Sequence, residues 1–326
     1  SVDRANWPAT APSPMVSTRR RTLRTAGTTA LAALAGCSSL GASGSDDATQ
    51  YTLDVDSVDA SPVAHALYEP DDGPLFGAPA RTALDAILPA GRHTTYGYTP
   101  LPDDAYVEHE GTYYQTKHVV TGRRGMDRPL VRVESVPAES VPEDATSIDR
   151  LDRPSARAIK ILHSVAQTGG ETSTADLLRG DAYVLRRPAE LAGRLGTGAL
   201  DGRVVTMTES GAWAYRVDVS RERIVETAHT ALAVPVADSR ERFREVVFGS
   251  RIDAELAPDA LAPAARDVLE RAIARGTHSE TTPLSEGFET LLDALGLGAV
   301  DSAATGQLLW YDGALSRYAL YVSAPS

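Results

Sequence analysis

The sequence predicts an α+β fold of tandem small modules, each with one or two helices packed on a short antiparallel hairpin sheet. Three observations predict it. Turn glycines at Gly111, Gly211 and Gly313 lie 100 and 102 residues apart. Each follows an acidic or polar residue (Glu110, Ser210, Asp312) and stands between aromatic and β-branched runs, which is a hairpin signal. Upstream of each turn a proline opens a helix-like segment, at Pro79, Pro154 and Pro263, where a missing N–H costs nothing. Strand-like runs precede those helices at residues 51–55, 130–133 and 246–252.

Taken from the start of the chain, residues 1–14 are expected to be an extension upstream of a translation start at Met15. Between Met15 and Cys37 the order is a basic patch (Arg19, Arg20, Arg21, Arg24), a small-residue apolar stretch over 25–33, and Leu34-Ala35-Gly36-Cys37. These are the parts of a secretory signal in their working order. Gly27, Thr28 and Thr29 interrupt the apolar stretch, which falls short of the roughly 20 residues a bilayer-spanning helix needs.

Arg20-Arg21, followed by Thr22 and Leu23, resembles the twin-arginine export motif, and Leu34-Ala35-Gly36-Cys37 resembles a lipobox. The resemblance implies a signal over 15–36, export by the twin-arginine machinery, cleavage before Cys37 and attachment of lipid to its thiol. The chain's only cysteine stands where a lipobox requires one. The expected location is therefore the outer face of the cell membrane, with the membrane held as a partner through Cys37. Residues 37–50, rich in Ser, Gly, Ala and Asp, are expected to be a flexible stalk. With Cys37 committed to lipid, no thiol is left for a disulfide, a nucleophile or a metal.

Composition points the same way. The chain has 44 acidic and 32 basic residues, of which only Lys117 and Lys160 are lysines. The first 37 residues hold one acid and five arginines, so the remainder carries 43 acids against 27 bases, a formal charge of −16. Such a field repels nucleic acid and argues against it as a partner. An acidic, lysine-poor, alanine-rich chain resembles proteins of extreme halophiles; a GC-rich genome also favours Arg and Ala but does not explain the excess of Asp and Glu, so signal and composition together resemble a haloarchaeal-type exported lipoprotein. The part beyond the signal resembles no family.

That part divides into units at 51–140, 141–240 and 241–326. In the first, Gly91 closes the helix and 20 residues separate it from the turn glycine. In the second, Ile161, Leu162, Val165 and Ala166 form the apolar face before Gly169-Gly170; in the third, Val268, Leu269, Ala272 and Ile273 precede Gly276. Longer gaps of 41 and 37 residues to the turn leave room for a second helix, at 188–195 and around Phe288, Leu291, Leu292 and Leu295. Residues 137–149 and the charged stretch 238–244 read as linkers.

The catalytic motifs sought are missing. Seven histidines, at 65, 93, 109, 118, 163, 229 and 278, include no pair at the i, i+4 spacing of a zinc helix. His109 and His118 flank the first hairpin and could face one another, but the other hairpins have no counterpart, so surface histidines explain them better. Asp54, Asp56 and Asp59 do not place oxygen at the fifth position of a calcium loop, where Val58 stands, and read as the exposed face of an edge strand. Gly-x-Ser-x-Gly and phosphate-cradling glycine patterns are absent. The aromatics Tyr113, Tyr114, Trp213, Tyr215, Trp310, Tyr311, Tyr318 and Tyr321 recur on the hairpins, where a core needs them. The expectation is a surface protein without catalytic, cofactor or metal residues, in a binding or structural role toward an envelope protein or carbohydrate. The alternative is an envelope hydrolase whose site is scattered in sequence.

Overall fold

In the computed structural model, which describes residues 48–169, 174–208 and 213–324, the first strand uses the alternation seen in its sequence. β1 (Gln50–Val58) buries Leu53 and Val55, while Asp54 and Asp56 turn to its other face. It is followed by α1 (Pro62–Ala66), α2 (Gly77–Ile87), β2 (His93–Tyr96), β3 (Tyr106–His109), β4 (Thr112–Val136), β5 (Thr146–Ser147) and α3 (Arg153–Gln167). Next come β6 (Leu178–Arg179), β7 (Ala182–Val184), α4 (Pro188–Ala192), β8 (Val204–Thr206), β9 (Ala214–Ala237), α5 (Arg240–Ser250) and β10 (Ala254–Leu256). The chain ends on α6 (Pro263–Arg275), β11 (Thr277–Thr281), α7 (Glu286–Ala294), β12 (Ala303–Tyr311) and β13 (Ala314–Ser323). Helices on largely antiparallel sheets make this an α+β fold. The expected signal, Cys37 and nearly all of the expected stalk lie outside the described residues.

Helix starts have local causes. Asp152 Oδ2 accepts from the Ser155 N–H at 3.1 Å ahead of α3, with Pro154 in the first turn. Ser285 Oγ accepts from the Phe288 N–H at 3.3 Å ahead of α7, and Gly276 at φ +79° closes α6. The third unit's stripes are largely buried as expected: Val268, Leu269 and Ala272 on α6, with Ile273 partly buried; Phe288, Leu291 and Leu292 on α7, with Leu295 just beyond it. On α3 the buried face is Ala158, Ile159 and Leu162, one turn earlier than the expected stripe, of which only Leu162 is fully buried. Two expectations are corrected. Residues 246–252 lie in α5 and the turn after it instead of a strand, because Phe243 and Val247, four apart, bury one helical face. Residues 238–244 open that helix instead of forming a linker, with Ser239 Oγ accepting from the Arg242 N–H. Residues 137–149 are not featureless either, since β5 lies within them.

The two expected hairpin turns that lie among the described residues have positive φ at both central residues: Glu110 (51°) and Gly111 (79°), Asp312 (47°) and Gly313 (77°). That is the mirror-image turn whose twist suits tight hairpins. Gly211 lies outside the described residues, but Thr206 faces Ala214 on either side of it.

A five-stranded sheet runs β10-β12-β13-β1-β11; an eight-stranded sheet runs β5-β8-β9-β4-β7-β6, with β2 on β9 and β3 on β4. β4 and β9 pair antiparallel from Tyr113 opposite Ala237 to Val136 opposite Ala214. At about 3.3 Å per residue their 25 and 24 residues span roughly 80 Å. Each strand therefore serves two sheet halves, which read β3-β4-β9-β2 and β8-β9-β4-β7. The other sheet reads β12-β13-β1-β11 in the same sense, with β1 from the first expected unit seated among strands of the third. Its core is formed by α6 and α7; α3 covers the β8 half, while α2 and α5 cover the β3 half.

Candidate functional site

Two charged side chains are buried within the β4–β9 pair, beside Leu130, Ile224 and Ala228. Arg128 and Glu226 are 5% and 4% exposed. Arg128 Nη2 donates to the Tyr96 carbonyl at 2.9 Å and Nη1 to the Arg186 carbonyl at 3.4 Å. The Glu226 carboxylate is shared: its Oε1 accepts from Arg186 Nε at 2.9 Å and lies 3.4 Å from Arg128 Nε. Arg128 Nε is buried with no hydrogen-bond partner. Gly97 is obligatory beside this pair, because a Cβ there would stand 2.3 Å from Glu226 Oε2, and its φ is +79°.

A second carboxylate lies next to the first. Glu190, in α4, accepts from the Arg186 and Arg187 N–H groups, both at 2.8 Å, and from the Tyr183 hydroxyl at 2.6 Å. Arg157 of α3 donates to the same hydroxyl at 2.6 Å. Burial and the Glu190 carboxylate push the Tyr183 phenol well above its ordinary range, which keeps it a donor. The Arg187 guanidinium lies 4.7 Å from the ring centres of both Phe76 and Tyr98, and Arg157 also covers Phe76. Burial lowers the Arg187 guanidinium, and the neighbouring Arg157 charge acts in the same direction. Burial raises the Tyr98 phenol against the opposing pull of Arg187 and Arg128.

Beside this centre is a cavity of about 360 Å³. Arg128, Arg186, Tyr96, Tyr98 and His93 line it together with Met126, and Pro74, Ala78, Pro79 and Pro188 supply apolar wall. Fixed guanidinium groups against apolar and aromatic walls can orient a negatively charged group and exclude water from its attached body.

The residues singled out by sequence fall elsewhere. Arg20, Arg21, Leu34, Ala35, Gly36 and Cys37 lie outside the described residues. His109 and His118 do not face each other, since His109 is opposite Thr112. His65 is exposed and the other six histidines are partly buried; of the two read as surface histidines, His118 departs from that reading, its side chain being 8% exposed. His163 Nδ1 meets the Tyr215 hydroxyl at 2.7 Å and His278 Nε2 meets Glu280 at 3.0 Å, so packing holds them. Of the hairpin aromatics, Tyr113, Tyr114, Tyr215, Tyr311 and Tyr318 are core residues, whereas Trp213 and Tyr321 are exposed. Among the described residues no three His, Cys, Asp or Glu side chains could hold a metal ion. Sequence reasoning missed the arginine–glutamate centre. Its only linear trace is the run Arg186-Arg187-Pro188-Ala189-Glu190, where proline and glutamate open a helix. No protein-family model matches the chain, and neither the curated proteins nor the solved structures match it significantly.

Proposed function

We propose that this chain is an exported protein, lipid-anchored at Cys37 on the outer face of the cell membrane, with a non-catalytic binding or structural role. The observation that carries the location is the single cysteine at the end of Leu34-Ala35-Gly36-Cys37, behind Arg20-Arg21. A charge of −16 beyond residue 37 fits a surface facing concentrated salt. The binding role rests on the arginine-lined cavity. His278, Glu280 and Ser285, a histidine, a carboxylate and a hydroxyl joined through the carboxylate, are engaged in holding the fold. Glu280 accepts from the Ser285 N–H at 2.7 Å and from its hydroxyl at 2.9 Å, which clasps the start of α7.

The folded part is read as three α+β modules in tandem. The common order β3-β4-β9-β2, β8-β9-β4-β7 and β12-β13-β1-β11 supports this. So does a parallel contact on the first hairpin strand in each: Leu67 on Tyr106, β5 on β8 and β10 on β12. In this reading the first and third modules have exchanged their entering strands. β1 completes the third sheet, and the C-terminal half of β9 completes the first.

Expression of Cys37→Ser in the native host tests the anchor. The variant is expected in the medium or as uncleaved precursor; if it is processed and fractionates with membranes like the parent chain, the proposal fails.

A further inference from the structure

The arginine–glutamate centre carries more cation than anion. Arg128, Arg157, Arg186 and Arg187 meet there with two carboxylates, Glu190 and Glu226. Glu226 is shared between Arg128 and Arg186, and Glu190 is 3.7 Å from Arg157. Arg187 is left on two aromatic faces. In a chain whose exported part is strongly acidic, a partly buried excess of guanidinium is an isolated local field. Burying charge is unfavourable unless a counter-charge accompanies it.

The excess adjoins a space that can admit such a counter-charge. Arg128 and Arg186 reach the wall of the 360 Å³ cavity, a volume at the small end of the roughly 300–1,000 Å³ of ligand sites. Arg128, only 7% exposed in its side chain, is held in that wall by the Tyr96 and Arg186 carbonyls on its Nη groups, with its Nε 3.4 Å from Glu226. The rest of the lining is three prolines, Ala78 and Met126 with Tyr96, Tyr98, His93 and three threonines. A bare inorganic anion would leave the apolar lining wet; an anion with an apolar body would cover it.

We propose that this cavity binds a small organic carboxylate, with its carboxylate on Arg128 and Arg186 and its apolar or aromatic body against Pro74, Pro79, Pro188 and Tyr98. The assignment rests on the reading of the chain as a binding module and is independent of the lipid anchor. Planar forks of guanidinium donors match a carboxylate and discriminate against its neutral amide, which offers one acceptor and no charge.

Calorimetric titration of the detergent-extracted full chain tests this, with benzoate, benzamide and inorganic phosphate as probes at one fixed salt concentration. Benzoate is expected to bind at least about tenfold more tightly than benzamide, the scale of one charge-assisted contact, and more tightly than phosphate. Arg128→Gln is expected to abolish the preference for benzoate. Because that change disturbs a buried ion pair, Ala78→Phe serves as the second variant: it takes up cavity space that Ala78 lines, leaves every arginine in place and is expected to remove benzoate binding without lowering the unfolding midpoint. Equal affinity for benzoate and benzamide, phosphate binding as tight as benzoate, or benzoate binding untouched by Ala78→Phe would each overturn the assignment. So would failure of benzoate to bind at all. A chain that fractionates with membranes yet ignores benzoate sinks the ligand assignment alone; one that binds benzoate but carries no lipid sinks only the location.

Discussion

Leu53 and Leu320 lie directly opposite each other on adjacent antiparallel strands, both fully buried, although 267 positions separate them. The final sheet thus depends on a strand from the start of the folded part. β1 pairs with β13 along nine positions and with β11 along five.

Truncating this contact should damage the C-terminal part of the chain first. Leu53→Ala is expected to cost about 2–5 kcal/mol, the range for a buried leucine whose site collapses only partly. Hydrogen exchange should rise in β11, β12 and β13 while the long β4–β9 pair keeps its protection. Equal loss of protection in both sheets would show that the N-terminal strand is not a local closure.

The carboxylate of Glu226 is the common counter-charge of Arg128 and Arg186. Glu226→Gln leaves both cations buried beside a neutral amide, so a loss of about 3–5 kcal/mol is expected, the scale of breaking a buried ion pair. Denaturant unfolding of the variant measures it, and a change under 1 kcal/mol would mean that water already screens the centre.

Two glycines with nearly the same φ should respond differently to alanine. Gly313 (φ +77°) has nothing within 4 Å of a Cβ, so Gly313→Ala costs only the left-handed backbone, about 1–2 kcal/mol. Gly97 (φ +79°) faces Glu226 Oε2 at 2.3 Å, so Gly97→Ala adds a clash at the ion pair and should cost more. Comparing the two unfolding midpoints checks the ranking.

His118 should make the fold sensitive to mild acid. Burial lowers its imidazole below the ordinary value, with the His229 charge acting in the same direction and Asp103 opposing both. The unfolded chain then binds the proton more readily than the folded one. Stability is full above the unfolded value of about 6.5 and falls as pH drops from there toward the lowered folded value. His118→Gln should flatten that slope between neutrality and the carboxylate range, as read by thermal unfolding at stepped pH.

Export gives a separate prediction. Replacing Arg20 and Arg21 by lysine keeps the charge but removes the paired guanidinium groups that resemble the twin-arginine motif. Precursor should accumulate inside the cell, and normal secretion of the double variant would exclude that route.

The sequence by itself determined the features that depend on a few neighbouring residues. The positive-φ turns at Gly111 and Gly313 follow from residues that tolerate left-handed backbone, and the starts of α3, α6 and α7 follow from prolines and capping side chains. The stripes of α6 and α7 were legible because helical periodicity is local. The strand expected at 246–252 failed for the same kind of reason: its β-branched pair also satisfies the four-residue spacing that places Phe243 and Val247 on one helical face. Tertiary structure alone decided the partners. Leu53 reads as a core residue of some strand, but only the folded chain sets it against Leu320; Arg128, Arg186 and Glu226 read as ordinary charges until β4, β9 and the segment between β7 and α4 bring them together. Dihedral and capping preferences act within a turn or two of the chain, whereas strand partners and buried ion pairs are chosen by which distant surfaces exclude water from one another.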